Sequence, residues 1–420
     1  MAFERISVVG LGYIGLPTAA LFASRGKTVI GIDVRPDTID TVNGGRIHIV
    51  EPGLAEVVRS AVASGHLRAT LTPEPADAFM IAVPTPFTGD DHQPDLSYIE
   101  SASRAIAPVL RPGNLVVLES TSPVGATEQM AAWLAEARPD LTFPQTHGED
   151  ADVMVAHCPE RVLPGKVLEE LVVNARVIGG MTARCAAHAV ELYRAFVEGE
   201  CVVTNARTAE MAKLAENSFR DVNIAFANEL SLICDTLGIN VWELIALANR
   251  HPRVKILQPG PGVGGHCIAV DPWFIVAGDP RNSRLIRTAR EVNDGKPHWV
   301  LDRILEAVSA AEVARAPEDV RPLTVACYGL AFKPDIDDLR ESPALEIVQE
   351  LSQRTTARVL AVEPNIAELP AALANVTLVD ADHARAEAHV HVMLVDHGPF
   401  RSMAVPDGVI VDTKGIWSQR

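Results

Sequence analysis

The chain lacks the features that mark metal-binding, membrane-spanning and nucleic-acid-binding proteins. Its six cysteines form no CxxC pair and show no metal-ligand spacing. No apolar run approaches the roughly 20 residues of a membrane span. Acidic residues outnumber basic ones by 54 to 37, and the resulting net charge of −17 argues against nucleic acid as a partner. No tandem repeat or low-complexity tract is present.

The length and apolar content of the chain are typical of a large globular protein. Its 420 residues suggest two or three domains, and an apolar content of 48% is enough for sizeable cores. The chain begins with an apolar strand rather than a signal peptide, so we expect a cytoplasmic protein with reduced thiols. With so much negative charge, an anionic substrate would need local clusters of Arg and Lys.

Residues 6–34 carry a dinucleotide-binding pattern of strand, glycine loop, helix and strand. The loop contains the spacing G-x-G-x-x-G at Gly10, Gly12 and Gly15. Asp33 ends the second strand roughly 20 residues further on, where an acid binds ribose hydroxyls and repels a 2′-phosphate. The pattern therefore predicts NAD rather than NADP, although Arg35 is a mild contrary signal.

The segment 259–273, PGPGVGGHCIAVDPW, holds Cys267 in a glycine-rich loop, with His266 beside it and Asp271 four residues on. Glycines let a ligand approach the backbone closely, and a cysteine there is a nucleophile if its thiolate is favoured. The alternative is an inert, buried cysteine in a tight turn. The dinucleotide pattern in the same chain favours an oxidation that passes through a covalent intermediate.

A long helix is predicted over 207–237, where no Pro or Gly interrupts the pattern. Lys213, Asn217 and Arg220 share one face of it, at spacings i, i+4 and i+7. This stripe has no acid at matching positions in the helix, which suits an anionic or polyhydroxylated ligand, although a solvated face would look the same. A helix of this length often joins domains or forms a dimer core.

Polar residues follow several predicted strands, at the sheet edge where open α/β sheets bind ligands. Thr85 and Thr121 follow the strands Ala78–Val83 and Leu115–Leu118, and the alternative is that such residues only cap helices. The last 100 residues restart the α/β pattern. There the sequence around Gly329 reads as a degraded glycine fingerprint suited to a different nucleotide.

Eight stretches in order along the chain resemble the UDP-glucose/GDP-mannose 6-dehydrogenase family over essentially the whole length. They are GLGYIGLPTA, IDV, VPTP, ESTSPVG, CPER, AEMAKLAENSFR, GPGVGGHCIAVDP and GLAFKPDIDDLRES. The resemblance implies an α/β fold with two Rossmann-like doubly wound domains joined by a long central helix. It implies an NAD-binding domain at 1–200, a central helical dimerisation and catalytic domain at 201–305, and a UDP-sugar-binding domain at 320–420.

Within that family, CPERVLPG, HIVEPGL and the loop before Cys267 resemble the branch that acts on UDP-N-acetylhexosamines. The expected substrate is UDP-N-acetyl-D-mannosamine, with UDP-N-acetylglucosamine and UDP-glucose as alternatives. Ala269 departs from the proline common in this branch. Two less favoured hypotheses remain. One is a single-hydride dehydrogenase of the 6-phosphogluconate type, which needs neither the cysteine nor a C-terminal nucleotide domain. The other is a non-catalytic nucleotide-sugar binder.

The resemblance also implies residue roles in a four-electron oxidation of the sugar C6 through a thioester, with NAD as cofactor and no metal. Lys213 and Asn217 would hold the C6 oxygen, Asp271 would steer protons and pair with Lys213, and Glu160 and Thr121 would position water. The expected catalytic residues are Cys267, Lys213, Asn217, Asp271, Glu160 and Thr121. Those expected to bind NAD are Gly10, Gly12, Tyr13, Ile14, Gly15, Asp33, Thr85, Thr127 and Arg340. Those expected to bind the UDP-sugar are Arg161, Val162, Lys213, Asn217, Arg220, His251, Arg253, Gly264 and Lys333. A homodimer through the central helix is expected, with His251 and Arg253 acting in either subunit.

Overall fold

The computed structural model describes residues 3–89, 91–163, 165–265, 267–316 and 318–417. The chain divides into two compact units, Met1–Glu216 and Asn217–Arg420, and the boundary falls inside one long helix.

The first unit is built on an eight-stranded sheet, with a separate two-stranded hairpin formed by β5 and β6. Its strands are β1 (Arg5–Val9), β2 (Thr28–Ile32), β3 (Leu67–Thr70), β4 (Ala78–Ile81), β5 (Phe87–Thr88), β6 (Gln93–Pro94), β7 (Leu115–Leu118), β8 (Met154–His157), β9 (Arg176–Gly180) and β10 (Cys201–Asn205). Its helices are α1 (Gly15–Ser24), α2 (Pro36–Asn43), α3 (Leu54–Ala63), α4 (Ser97–Ile106), α5 (Ala126–Ala137), α6 (Pro144–His147), α7 (Val167–Val173) and α8 (Ala183–Tyr193).

The strand order β10-β9-β8-β7-β4-β1-β2-β3 reverses direction between β1 and β4. The central strands β4, β7 and β8 are buried on both faces, which explains the continuous apolar runs in the sequence. In β4, for example, Met80 packs into one core and Phe79 into the other. All pairs are parallel except β8 with β9. The reversal is a topological switch point, where ligands bind beyond the carboxyl ends of the strands.

The long helix α9 spans Ala206–Leu237, so the prediction of a helix over 207–237 is confirmed. The side chain of Asn205 accepts a hydrogen bond from the Thr208 N–H at 2.9 Å and satisfies one of the unpaired donors of the first turn. Gly238 ends the helix with a φ of +64°, and the Ile239 N–H reaches back to the Cys234 carbonyl at 2.9 Å. This is the usual way in which a glycine terminates a helix.

The second unit contains a five-stranded parallel sheet in the order β13-β12-β11-β14-β15. The strands are β11 (Thr324–Tyr328), β12 (Arg358–Val362), β13 (Thr377–Leu378), β14 (Val390–Met393) and β15 (Val409–Asp412). The helices are α10 (Val241–Ala248), α11 (Asp271–Gly278), α12 (Arg284–Ala314), α13 (Pro343–Arg354), α14 (Ala381–Glu387) and α15 (Gly398–Arg401). The expected fold, with two Rossmann-like sheets and a long central helix, is confirmed.

Within the described ranges, no helix has both the length and the apolar character needed to cross a bilayer. The same part of the chain contains no cluster of three or more His, Cys, Asp or Glu side chains arranged to hold a metal ion.

Candidate active site

The glycine loop after β1 has the geometry that a dinucleotide needs. Gly10 has a φ of +91°, and a side chain there would meet the Ala82 carbonyl at 2.4 Å. A Cβ on Gly15 would stand 1.8 Å from the Gly10 carbonyl, whereas a Cβ on Gly12 would meet nothing within 4 Å. Gly10 and Gly15 are therefore required by the turn and by helix packing, while Gly12 leaves open space where a pyrophosphate would approach.

Asp33 is attached to the same loop. Its carboxylate accepts hydrogen bonds from the Leu11 N–H at 3.0 Å and from the Arg35 N–H at 3.0 Å. The acid is half-buried, so one edge stays available to a ribose hydroxyl. Tyr13 and Ile14, also half-buried, lie between the glycines at the start of α1. The contacts of these residues with NAD stay predictions.

Two of the predicted polar residues meet at the carboxyl ends of the neighbouring strands β4 and β7. The Thr85 hydroxyl donates to the Thr121 carbonyl at 2.5 Å, and the Ser120 hydroxyl donates to the Val83 carbonyl at 2.7 Å. These bonds tie the two strand-end loops together. Ser120, which precedes Thr121 and has the same two possible roles in the sequence, therefore bonds to a neighbouring loop rather than capping a helix.

Thr127 is fully buried and bonded within the protein. Its hydroxyl donates to Glu210 of α9 at 2.6 Å, and its backbone N–H donates to the same oxygen at 2.8 Å. The other oxygen of Glu210 accepts from the Gly125 N–H at 2.6 Å. Glu210 thus caps the N-terminus of α5. No sequence pattern marks Glu210 for this role. The contact of Thr127 with NAD stays a prediction.

Glu160 and Lys213 are both largely buried in the first unit, at 8% and 7% exposure. Burial raises the pKa of the Glu160 carboxyl, and the attraction of the Lys213 ammonium opposes that rise. One Glu160 oxygen also accepts from the Val162 N–H. A carboxyl with a raised pKa can exchange a proton closer to neutral pH than an exposed one can.

Arg161 is engaged with α9. Its guanidinium forms a bidentate pair with Glu216, at 3.0 and 2.6 Å, and donates to the Ala175 carbonyl at 3.2 Å. The loop that carries Arg161 and Val162 is fixed by Glu51, whose carboxylate accepts from the Gly165 and Val167 N–H groups, both at 2.8 Å. Glu51 lies in the stretch HIVEPGL, but nothing in that sequence predicts its bonds to the Arg161 loop.

A second buried acid lies directly before the Ser120–Thr121 turn. Burial raises the pKa of Glu119 to about 7, while attraction to Arg176 opposes the rise. The Tyr193 hydroxyl donates to Glu119 at 3.2 Å, and the Arg176 guanidinium stands 5.3 Å from the Tyr193 ring centroid. The sequence offered no sign of this group, because its members come from separate elements of the fold.

In the second unit, the structure brings Asn217 and Asp271 together. The Asn217 amide donates to the Asp271 carboxylate at 2.5 Å. The polar stripe of α9 therefore does meet an acid, supplied from 54 positions along the chain rather than from its own helix. Asp271 is buried at 3% exposure and begins α11, and its pairing with Lys213 stays a prediction.

Cys267 is exposed and lies one turn before α11. Its carbonyl accepts from the Asp271 N–H at 2.9 Å. The glycines before it are packed closely, because a Cβ on Gly264 would stand 2.4 Å from the Glu341 carbonyl and one on Gly265 would stand 3.0 Å from the Phe332 ring. His266 lies outside the described residues.

The remaining predicted ligands of the UDP-sugar are dispersed over the second unit. Arg220, His251 and Arg253 are exposed, and the Arg253 N–H donates to the His251 ring at 3.3 Å. Lys333 is half-buried in the loop after β11. Arg340, predicted to contact NAD, forms a forked pair with Asp338 at 2.9 and 2.6 Å. These roles stay predictions.

Three family models together match most of the chain. The NAD-binding domain of the UDP-glucose/GDP-mannose dehydrogenase family matches residues 4–197, its central domain 207–295, and its UDP-binding domain 326–419. The chain belongs to this family. It is thus an NAD-dependent dehydrogenase, as the glycine loop and Asp33 indicate.

Individual relatives agree with that assignment. A UDP-N-acetyl-D-mannosamine dehydrogenase of Salmonella typhi is 65% identical, over 99% of this chain and all of that relative. An NDP-N-acetyl-D-galactosaminuronic acid dehydrogenase of Ralstonia nicotianae is 63% identical, over all of this chain and 97% of its own. A solved structure of a UDP-D-ManNAc dehydrogenase from Pyrococcus horikoshii is 40% identical with a TM-score of 0.86, covering 98% of this chain and 96% of its own.

Proposed function

We propose that this dehydrogenase oxidises C6 of UDP-N-acetyl-D-mannosamine to the carboxylate, using two NAD⁺ and a thioester on Cys267. The observation that carries the proposal is the exposed cysteine at the end of a closely packed glycine loop, in a chain with a dinucleotide site. The name of the 65% identical relative supports the choice of sugar.

Exposure separates Cys267 from the other five cysteines, all of which lie in the described part of the chain. Cys158, Cys185, Cys234 and Cys327 are buried, and Cys201 is half-buried. Burial raises the pKa of the Cys158 and Cys327 thiols to about 12, which leaves them protonated and inert. Only an accessible thiolate can attack a bound aldehyde.

When bound, NAD⁺ accepts a hydride from C6 in each of two successive oxidations. Lys213 and Asn217 would hold the C6 oxygen as its proton leaves and the first aldehyde forms. The Cys267 thiolate would then add to the aldehyde carbon to give a thiohemiacetal. Loss of the second hydride leaves a thioester, and Asp271, bonded to Asn217 at 2.5 Å, would hold that amide in orientation.

Hydrolysis of the thioester needs a group that accepts a proton from water. Glu160 suits this task, because burial raises the pKa of its carboxyl and brings proton exchange closer to neutral pH. The Thr121 hydroxyl, at the loop fastened to Thr85, would position the water. Attack by water releases the carboxylate and regenerates the Cys267 thiol.

The assay for this proposal measures NADH and product together. Purified protein with UDP-N-acetylmannosamine should form two NADH per sugar oxidised, whereas one NADH with released aldehyde would contradict the four-electron reaction. Cys267→Ser should lose turnover while still binding NAD, because an ester on serine hydrolyses poorly. Full activity in Cys267→Ser would show that the cysteine is structural.

The identity of the sugar is tested with a panel of substrates. We expect kcat/KM to be highest for UDP-N-acetylmannosamine, compared with UDP-N-acetylglucosamine, UDP-glucose and UDP-N-acetylgalactosamine. The last belongs in the panel because the 63% identical relative is named for an N-acetylgalactosaminuronic acid. A preference for UDP-glucose would overturn the 2-acetamido assignment.

We also propose a homodimer formed through α9. Phe219, Phe226 and Ile233 follow each other at intervals of seven on one helix face and are 73%, 51% and 47% exposed. Apolar residues at that spacing form the seam between packed helices. A second copy of the same helix would cover this stripe with an identical one.

The oligomer is tested by light scattering coupled to gel filtration. Phe226→Asp should convert a dimer of about twice the 45.1 kDa chain mass into monomers, because it places a charge in the centre of the stripe. Asp235→Glu, an exposed change on the opposite side of the same helix, is the matched control. A dimer that survives Phe226→Asp unchanged would contradict this interface.

A further inference from the structure

A pair of buried amides lies beneath the segment that leads to Cys267. Asn228 of α9 is fully buried, and its amide nitrogen donates to the Asn293 side chain of α12 at 2.8 Å. The amide oxygen of Asn228 accepts from the backbone N–H of Gly260 at 2.9 Å. Asn228 therefore joins two long helices to the first residues of the loop that carries Cys267.

The hydrogen-bond partners of Asn293 fix which way both amides face. The Asn293 amide nitrogen donates to the Asp221 carboxylate at 2.8 Å and to the Asp221 carbonyl at 3.1 Å. The Arg290 guanidinium donates to the same Asp221 carboxylate at 2.7 Å. With only an acceptor opposite it, the Asn293 nitrogen must face Asp221, so its oxygen faces Asn228. Asn228 is thereby left with its own oxygen directed at Gly260.

All four side chains are almost completely inaccessible, with exposures of 0% for Asp221 and Asn228 and 1% for Arg290 and Asn293. Burying charges and amides is costly, and well-packed apolar side chains can often replace such groups without loss of stability. A connected polar group of this kind specifies one arrangement of the chain rather than adding stability. The arrangement that it specifies includes the position of the Gly260 backbone.

The loop between Gly260 and Cys267 has little room to move, because its glycines are closely packed. A Cβ on Gly262 would stand 2.8 Å from Pro343 and 3.0 Å from Pro297, and Gly264 and Gly265 are packed as closely against the segment 332–343. At its other end, Cys267 is fastened to the first turn of α11. The backbone from Gly262 to Gly265 is therefore closely held, and the end of the loop before it is bonded to Asn228 through Gly260.

We propose that Asn228, oriented by Asn293, is the positioning residue of the Cys267 loop and acts through the backbone N–H of Gly260. The predicted effect on turnover rests on the proposed role of Cys267 as nucleophile. The predicted effect on the loop itself does not.

Hydrogen exchange measured by mass spectrometry tests the effect on the loop directly. Asn228→Ala should speed exchange in peptides covering 259–270, because the Gly260 N–H loses its acceptor. The matched control is Ser231→Ala, which removes a hydroxyl that accepts from Lys296 at 2.6 Å and donates to the Asn228 carbonyl at 2.5 Å. It leaves the Asn228 side chain and its bond to Gly260 in place. Equal exchange of this loop in the two variants would overturn the proposal.

Steady-state kinetics test the consequence for catalysis. Asn228→Ala should lower kcat about tenfold to a hundredfold, the cost typical of misplacing a reacting group by about 1 Å, with KM for both substrates changed less than about threefold. Ser231→Ala should change neither. A rise in KM alone would contradict positioning of the nucleophile. Cys267→Ser with full activity would reject the proposed function, while the exchange experiment would still decide the contact.

Asn228→Asp tests whether a side chain of the same shape can replace the amide. It also keeps the proposal testable if the alanine variant does not fold. A protonated aspartic acid can accept from Gly260 and donate to Asn293, as the amide does, whereas the carboxylate cannot donate. The ratio of kcat in Asn228→Asp to wild type should therefore rise as the pH falls. A ratio independent of pH, with loop exchange like that of wild type, would show that the amide orientation does not matter.

Discussion

Lys296 offers a quantitative test of the packing in the second unit. It lies on α12 at 3% exposure, donates to the Ser231 hydroxyl at 2.6 Å, and stands 3.9 Å from the Trp299 ring centroid. Burial lowers the pKa of Lys296 from 10.5 to about 7, and the distant charge of Asp235 opposes the change. Lys296→Met keeps the apolar stem and removes the amine.

The magnitude follows from proton linkage. Between pH 7 and pH 10.5 the unfolded chain binds a proton at Lys296 that the folded chain does not, so stability rises with pH across that window. At about 1.4 kcal/mol per pH unit the full cost is about 5 kcal/mol at low pH. We therefore expect Lys296→Met to stabilise the unit by about 5 kcal/mol below pH 7, with the gain vanishing near pH 10.5.

Differential scanning calorimetry at several pH values measures this gain. For a unit of this size, about 5 kcal/mol raises Tm by about 10 to 20 °C, and the rise should shrink steadily between pH 7 and pH 10.5. Lys255→Met, at an exposed position in the same unit, is the control and should shift Tm little at any pH. A Tm of Lys296→Met that is below wild type at pH 7, or a gain that does not change with pH, would refute the reasoning.

Two further predictions concern the ligand sites. Lys213→Ala should lower kcat about 10²–10³-fold, the cost of removing one donor to a developing oxyanion, whereas Arg253→Ala should raise KM for the UDP-sugar more than it lowers kcat; a rise in KM alone for Lys213→Ala would contradict its catalytic role. Asp33→Ala should raise KM for NAD about tenfold to a hundredfold by removing a charged hydrogen-bond acceptor, and an unchanged KM for NAD would show that this acid does not contact the cofactor.

The parts of the fold that the sequence predicted are those specified by neighbouring residues. The strand predicted to end at Asp33 is β2, Thr28–Ile32, because a strand buried on both faces appears as a continuous apolar run. The glycine loop was predictable because Gly10 has a positive φ and Gly15 packs on the Gly10 carbonyl within the same turn. Helix α9 was predictable because its bounding signals, Asn205 and Gly238, are local as well.

The parts that the sequence did not predict depend on partners far along the chain. Glu210 caps α5 across 83 positions, and Glu51 holds the loop at Gly165 across 114 positions. Nothing in the residues around an isolated buried acid says which backbone N–H groups it will meet. The same holds for Asn228, which reaches Gly260 across 32 positions. These acids and amides hold loops near the predicted site residues, and no local pattern in the sequence marks them.

The second glycine turn shows why the two Rossmann-like sheets differ in what they bind. Gly329 has a φ of +88°, its N–H bonds the end of β12 at 2.8 Å, and the Leu330 N–H donates to Glu363 at 2.8 Å. This repeats the geometry of Gly10, Leu11 and Asp33. Yet Glu363 is 4% exposed and pairs with the fully buried His397 at 2.9 Å, whereas Asp33 is half-buried. An acid enclosed in this way cannot take a ribose hydroxyl. A nucleotide at the second sheet would therefore need other groups, and we predict that Lys333, four residues beyond Gly329 in the same loop, meets its phosphates.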